Sequence, residues 1–560
     1  MGPVRLSARR TGATAALALL SLLPAVGSSP PAAGQAAGSP NVLVILTDDQ
    51  RATDTMEHMA RTMEWFGQGG TTFSNAYATT PLCCPSRASI FTGRMAHNTG
   101  VRTNGDQQQL DHDSTIQRYL RQNDFRTALA GKFLNLWPVE QNPPNFDRWA
   151  LLRPEDSGYF NSRFNVDGTT EIVPDYSTDF IRDYALDLLD DWESNDARPW
   201  FLFLSPYAPH DPADPATRHN GMIFPQWLGN PGVFELDKGD KPPYVKNAHH
   251  TFEEALADRD RQLKTLQAVD EMVDAVFGRL EQLGEQDTLA FFLSDNGFFW
   301  AEHGLRGKNA PYTESIRIPL LMRWPGRVAA GVGDGSPVAN VDVVATIMDA
   351  LGMSPDPQFP MDGRSLLKQD ARLKMYTEAW APRSRGPWAS VRAARYQYIE
   401  YYADNGRVEL REYYDLVADP AQLTNLYADG NPRNDPWPGA LGAELRPLRT
   451  CVGDACNVLL DERGVPLHCP GAKARPGHHL VGSAGRDSIG GFPWRNVLCG
   501  REGPDNLRGK GGRDRLIGHG GPDTLIGGPG PDILDGRGGR DVCRGGPGKD
   551  RFRSCARQTG

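Results

Sequence analysis

From Asn41 to about Leu351 the apolar residues alternate between two rhythms. Asn41-Val-Leu-Val-Ile-Leu46, Phe201-Leu-Phe-Leu204 and Leu289-Ala-Phe-Phe-Leu293 are short continuous apolar runs, the pattern of strands buried on both faces. Between the last two, residues 253–283 carry Leu263, Leu266, Val269, Met272, Val273, Val276 and Leu280 at helical spacing, one apolar stripe of an amphipathic helix. Strands separated by helices predict an α/β fold whose mostly parallel central sheet is sandwiched by helices. From about residue 370, short runs such as Tyr396-Gln-Tyr-Ile-Glu-Tyr401 predict a smaller C-terminal antiparallel sheet subdomain.

A different rhythm takes over near the C-terminus. Residues 431–481 read as a linker, rich in Pro, Gly and Cys in its later part. From Gly482 to Gly545 every ninth residue is Gly, and the sixth position of each unit is Asp487, Asn496, Asp505, Asp514, Asp523, Asp532, Asp541 or Asp550. The eighth is Ile489, Leu498, Leu507, Leu516, Leu525, Leu534, Cys543 or Phe552. A flexible Gly-rich linker would not keep an acid and an apolar residue in phase. The pattern resembles the calcium-binding parallel β-roll repeat, which implies a C-terminal parallel β-roll over 482–553. Its candidate calcium ligands are Asp505, Asp514, Asp523, Asp532, Asp541 and Asp550, hard oxygen donors suited to Ca2+. Between Gly482 and Arg553, 13 Lys+Arg stand against 9 Asp+Glu, a surplus expected to weaken cation binding and leave some turns empty. One apolar side chain per unit buries little, so calcium is expected to supply much of the folding free energy. The roll is expected to be separable from the rest.

The chain of 560 residues suits a large catalytic domain with an appendage. Its net charge of -9 argues against nucleic acid as the default partner. Arg5, Arg9 and Arg10, then an apolar stretch from Ala13 to Val26 and small residues at Gly27–Ser29, read as a signal peptide over 1–29. The apolar run is short for a membrane anchor, and no later segment suits a membrane span. Arg9-Arg10 alone is weak support for a twin-arginine signal. The mature protein is expected to be secreted. Six of its 8 cysteines lie in the C-terminal quarter, an even set that suggests disulfides in an exported tail. Cys451 with Cys456, and Cys543 with Cys555, are the nearest pairs. Cys83 and Cys84 have no partner nearby in the chain, so a structural bridge explains them poorly.

Candidate chemistry begins where the strands end. Asp48 and Asp49 follow the first apolar run, and Asp295-Asn296 follows Leu289–Leu293. Ligand sites in open α/β sheets lie at such carboxyl ends. Oxygen donors at two of them suit one divalent cation, and no His/Cys set suited to zinc accompanies them.

Between these pairs lies Cys83-Cys84-Pro85-Ser86-Arg87, continuing to Thr92-Gly93-Arg94. It resembles the signature of the formylglycine-dependent sulfatases of the alkaline phosphatase superfamily. Gly131-Lys132, Ala208-Pro209-His210, Glu302-His303-Gly304, Gly307-Lys308 and Tyr414-Asp415-Leu416 follow in the family's order, within a catalytic domain of 38–430. The resemblance is to the N-acetylglucosamine-6-sulfatase and endosulfatase branch. It implies that a formylglycine-generating enzyme oxidises Cys83 and that the hydrated aldehyde is the nucleophile, its second hydroxyl later expelling sulfate. It implies Ca2+ held by Asp48, Asp49, Asp295, Asn296 and residue 83, and catalytic roles for Arg87, Lys132, His210 and Lys308. The substrate implied is a sulfated small molecule or saccharide. Many arylsulfatases carry His two residues after the first Lys. Leu134 stands here, leaving the eliminating base open between His97 and His303. Phosphonate or phosphodiester hydrolysis on the same fold is the alternative chemistry. A non-enzymatic calcium-dependent surface protein is the alternative class.

Overall fold

The computed structural model describes residues 38–559 apart from 195–197, 369–370, 381–384, 433, 437, 458, 461–478, 482–485 and 492–495. The expected signal peptide, Cys469 and part of the linker lie outside the described residues. Among these residues, no helix is long and apolar enough to cross a membrane.

Four apolar strands form the centre of a 10-stranded sheet. They are β1 (Asn41–Thr47), β2 (Arg126–Gly131), β3 (Trp200–Ser205) and β4 (Thr288–Ser294). Their order in space is β4-β1-β3-β2, all parallel. Antiparallel strands flank them, Leu320–Arg323 beside β4 and Ser162–Val166 toward the other edge. Every residue of β1 is buried because both faces are covered. Val42, Val44 and Leu46 pack in one layer with Ile116, Leu120 and Ile347. Leu43 and Ile45 pack in the opposite layer with Leu266, Val269 and Met272. The period of two along the strand assigns alternate side chains to the two layers.

Two helices matter for the site. The first, α1 (Cys83–Thr92), is buried at every residue and ends at Gly93 in the left-handed conformation. The second, α2 (Phe252–Leu283), is the amphipathic helix expected between β3 and β4. Its start is fixed by Thr251 Oγ1 accepting from the Glu254 amide at 3.2 Å and Glu254 Oε2 accepting from the Thr251 amide at 2.8 Å, a reciprocal cap.

Register aligns the strand ends. Thr47 lies opposite Ser294, and Gly131 opposite Ser205. The chain therefore leaves β1, β2, β3 and β4 along one edge of the sheet. Gly131 has φ of 110°, and a Cβ there would lie 2.0 Å from the Ser205 carbonyl oxygen. Only glycine lets the chain pass that close before Lys132.

The antiparallel subdomain is a four-stranded sheet of Lys374–Ala379, Trp388–Ala393, Tyr396–Tyr402 and Val408–Asp415. The repeats form two parallel sheets of five strands each. Leu498 pairs with Leu516, and Leu516 with Leu534. One full turn of the roll is thus two nine-residue units, which places successive units on opposite sheets. Leu498, Leu507, Leu516, Leu525, Leu534 and Cys543 form its buried interior. Disulfides join Cys451 to Cys456 and Cys543 to Cys555.

The charge surplus of the roll does not sit where a cation would. Asp505, Asp514, Asp523, Asp532 and Asp541 are buried. One carboxylate oxygen of each of the last four accepts the amide of the residue one turn earlier, as Asp523 Oδ1 does from Asp505 at 2.9 Å. Asp505 does the same for Asp487. The second oxygen of Asp505, Asp514, Asp532 and Asp541 has no hydrogen-bond partner, the state of a ligand atom aimed at a cation. Asp550 is half-buried and accepts from the Asp532 amide at 2.9 Å. All but one of the basic residues in 503–559 are exposed, away from these oxygens.

Candidate active site

The sheet edge assembles the predicted residues into one buried cluster. Asp48 and Asp49 follow β1, Lys132 follows β2, His210 lies five residues beyond β3, and Asp295-Asn296 follows β4. Cys83 opens α1 after an extended Leu82, so its side chain stands at the positive end of that helix. Its sulfur lies 3.4 Å from Asp48 Oδ1 and 2.7 Å from Lys308 Nζ. One ligand-type atom from each of Asp48, Asp49, Cys83 and His210 falls in a group no wider than 4.8 Å.

Arg87, one turn further along α1, binds this edge together. Its Nε donates to Asp295 Oδ2 at 2.8 Å, and its Nη2 lies 3.3 Å from Asp48 Oδ2. Its Nη1 donates to the Lys132 carbonyl at 3.0 Å and to Ser205 Oγ at 2.8 Å. One guanidinium therefore touches the ends of all four strands or the residues just after them, which the fixed fork of Arg permits and Lys does not.

The carboxylates and cations alternate. Lys132 pairs with Asp48, and Lys308 with Asp49. Burial pushes the Asp48 carboxyl up, but Lys132 and Arg87 outweigh it and hold the group well below its usual range. Asp295 is pushed up to about 6 by burial, with Asp48 adding and Arg87 opposing. Lys308 loses by burial and gains more from Asp49, so it stays firmly charged. Burial and Asp48 push the Cys83 thiol well above its ordinary value, against Lys132 and Lys308. As a thiol it is therefore a poor nucleophile.

Asn296 donates to Asp49 Oδ1 at 2.7 Å, and its own Oδ1 is buried without a partner. Asp49 takes a left-handed φ of 69°, and its amide donates to Asp295 Oδ1 at 3.1 Å. His210 Nδ1 meets the Asp211 carbonyl at 2.8 Å. A carbonyl only accepts, so Nδ1 carries the proton and Nε2 is turned to the site, 3.6 Å from Asp49 Oδ2.

Cys84 is placed differently. It is buried, its amide donates to Asn104 Oδ1 at 3.0 Å, and burial pushes its thiol up to about 12. Leu134 is packed in the core. Both histidines considered as an eliminating base have a ring nitrogen held by another group. His97 has both ring nitrogens engaged, by Glu378 at 2.9 Å and the Cys451 carbonyl at 2.9 Å. His303 is held by Glu235 at 2.7 Å.

Sequence reasoning missed Ser205 and Tyr207. Ser205 ends β3 at the same edge as the acidic pairs, so the strand-end rule points to it. Tyr207 stacks on the His210 ring with centroids 4.6 Å apart, and nothing in the sequence marks it.

The family model for sulfatases matches residues 40–353, more than half of the chain, and the chain belongs to the sulfatase family. The C-terminal model of N-sulphoglucosamine sulphohydrolase matches 301–435. The RTX calcium-binding nonapeptide repeat matches 500–521 and 518–552. The Drosophila melanogaster extracellular sulfatase SULF-1 homolog is 34% identical over 59% of this chain and 31% of its own length. The Caenorhabditis elegans Sulf-1 homolog is 33% identical, with 49% of its length covered. The chain thus spans half or less of these two relatives. Human N-acetylglucosamine-6-sulfatase is 29% identical over 76% of this chain and 87% of its own. Among solved structures, a protein in complex with its substrate D-glucosamine-2-N,6-O-disulfate shares the fold, with TM-score 0.63, 24% identity, and 74% and 97% of the two chains covered. A phosphonate monoester hydrolase of Agrobacterium radiobacter shares it with TM-score 0.53, 22% identity, and 70% and 92% covered.

Proposed function

We propose that this chain is an exported sulfatase that hydrolyses the sulfate ester of a sulfated saccharide, with formylglycine made from Cys83 and one Ca2+ at the strand ends. The observation that carries the reading is Cys83 at the start of α1, between Asp48 at 3.4 Å and Lys308 at 2.7 Å, inside the Cys-x-Pro-Ser-Arg motif.

The donor set fits the cation. Asp48, Asp49, Asp295 and Asn296 offer only oxygens, and Asn296 Oδ1 is buried and unpartnered, as a hard-ion ligand requires. When present, the Cys83-derived aldehyde hydrate supplies the nucleophile and Ca2+ supplies Lewis acidity. The remaining work falls to the chain. Lys132, buried, and Lys308, half-buried, bring two positive charges to the oxygens of a sulfate group. Arg87 fixes α1 against the strand ends and so sets the position of residue 83. His210, with its Nδ1 proton held by the Asp211 carbonyl, turns Nε2 toward the leaving oxygen and donates from it in its doubly protonated form. Export by the segment 1–29 and maturation by a formylglycine-generating enzyme belong to the same reading. So do a catalytic domain of 38–430 and a separable roll of 482–553.

The test joins two measurements. A mass spectrum of the Cys83 peptide from active protein should carry the aldehyde in place of the thiol. Purified enzyme should release sulfate from glucosamine 6-sulfate. Full activity with an unmodified Cys83, or modified protein inert on every sulfated sugar, overturns the proposal. The phosphonate hydrolases that share this fold motivate a second reading. Relative kcat/KM on a sulfate ester and a phosphodiester of one phenol decides between the two.

A further inference from the structure

The roll sorts its charges by depth. Between residues 503 and 559, six of the seven acidic side chains are buried, and the seventh, Asp550, is half-buried. Ten of the eleven Lys and Arg residues in the same stretch are exposed. The repeat dictates this, because its acidic position faces the turn interior while the positions beside the apolar residue face out. Calcium on the interior carboxylates would cancel their charge and leave the basic exterior unopposed.

One flank carries five of these bases, Arg508, Lys510, Arg513, Arg544 and Lys549, and no acid. Arg508 and Arg544 lie on the strands Asn506–Arg508 and Val542–Arg544 of one sheet, with Ile526 between them in register. Arg513 and Lys549 occupy equivalent places in the turns that follow, with Pro531 between them. Each pair is therefore two strands apart, about 9–10 Å along the roll. No acidic residue occurs in 506–513, 524–531 or 542–549. The flank presents two such pairs of positive charge on a chain whose net charge is -9.

We propose that this flank docks a linear sulfated polysaccharide, the polymeric form of the substrate class assigned above, and so rests on that reading. Pairs of cations held at one fixed spacing complement a polymer with anionic groups at regular intervals. Single-stranded nucleic acid recognition adds aromatic platforms to such charge, and Phe552 is the one Phe, Tyr or Trp in 503–559. A membrane surface needs an apolar face beside the bases, and Ile526 at the centre of this flank is half-buried.

The experiment uses the full chain in millimolar calcium, with Cys83→Ala present so that the probe is not consumed. Affinity for immobilised heparin is measured across salt concentrations for this protein and for the combined Arg508→Gln, Arg513→Gln, Arg544→Gln, Lys549→Gln variant. The Gln variant should bind about tenfold more weakly at about 0.15 M salt, with a shallower salt dependence. Replacing the three arginines by Lys should keep the affinity. On the otherwise unaltered enzyme, the Gln changes should leave kcat/KM on a small sulfate ester unchanged and lower it on a sulfated polymer. Unchanged heparin affinity in the Gln variant overturns the proposal. So does a parent protein that binds desulfated heparin, double-stranded DNA or phosphatidylserine vesicles as tightly as heparin, a result that needs no substitution to fold. Heparin binding that depends on the flank, in a protein that releases sulfate from no saccharide, upholds the docking surface and sinks the catalytic reading.

Discussion

Lys308 Nζ lies 2.7 Å from the Cys83 sulfur and also pairs with Asp49. These residues are 225 positions apart in the chain, yet the cation reaches both the candidate nucleophile and a candidate metal ligand. That shared contact ties the candidate nucleophile and the candidate metal ligands into one cluster.

The two adjacent cysteines should behave oppositely. Cys83→Ala should abolish sulfate release, because only position 83 faces Asp48 and Lys308. Cys84→Ala should retain most of it, since Cys84 is buried and its amide, unaffected by the change, makes the contact to Asn104. Steady-state rates on a small sulfate ester check both, and an active Cys83→Ala protein would reverse the assignment.

The two lysines should act mainly on turnover. Lys132→Ala or Lys308→Ala removes one preorganised charge from the place where negative charge develops, a loss of roughly 10²–10³ in kcat. Circular dichroism and kcat measured on the same preparations separate this from unfolding. A purely structural role would lower stability with little change in the kcat of the folded fraction.

Arg87 should matter for stability as well as rate. It is fully buried and joined to both Asp295 and Asp48. Arg87→Met leaves those carboxylates without their buried partner, at a cost of about 3–5 kcal/mol. Urea unfolding of the catalytic region measures it. Arg87→Lys should recover only part, because a single ammonium cannot make the same set of contacts.

The roll should respond to calcium without controlling the chemistry. At Gly518, an added Cβ would lie 2.2 Å from Asp523 Oδ2 and 2.8 Å from the Gly536 carbonyl oxygen. Gly518→Ala should therefore raise the calcium concentration at which the roll orders, followed by circular dichroism, and leave kcat on a small ester unchanged. A chain truncated after residue 477 should keep that kcat as well. A truncated enzyme that folds but does not turn over would show that the roll is part of the catalytic unit.

Much of this was legible in the sequence because the physics involved is local. Short continuous apolar runs, too short for ordinary helices, suit strands buried on both faces, and β1, β3 and β4 appear where the pattern places them. The helical stripe marks α2 to within a residue or two. A nine-residue period is rigid arithmetic, and the roll with its Leu stack follows from it. The Asp pairs were suspect because chain leaving a parallel strand exposes its side chains at the ligand-binding edge.

What the sequence left open depends on which distant residues meet. The position after Lys132 that holds Leu134 suggested another base, and His97 and His303 were the nearest in pattern. Packing engages His97 with Glu378 and His303 with Glu235, contacts no local rule predicts. Ser205 and Tyr207 acquire roles only because register brings β3 beside β1 and β2. The basic surplus of the roll counted against calcium when read as composition. Only the winding of the chain, which turns all but one Asp inward and all but one base outward between 503 and 559, separates the two charges and gives each its own surface.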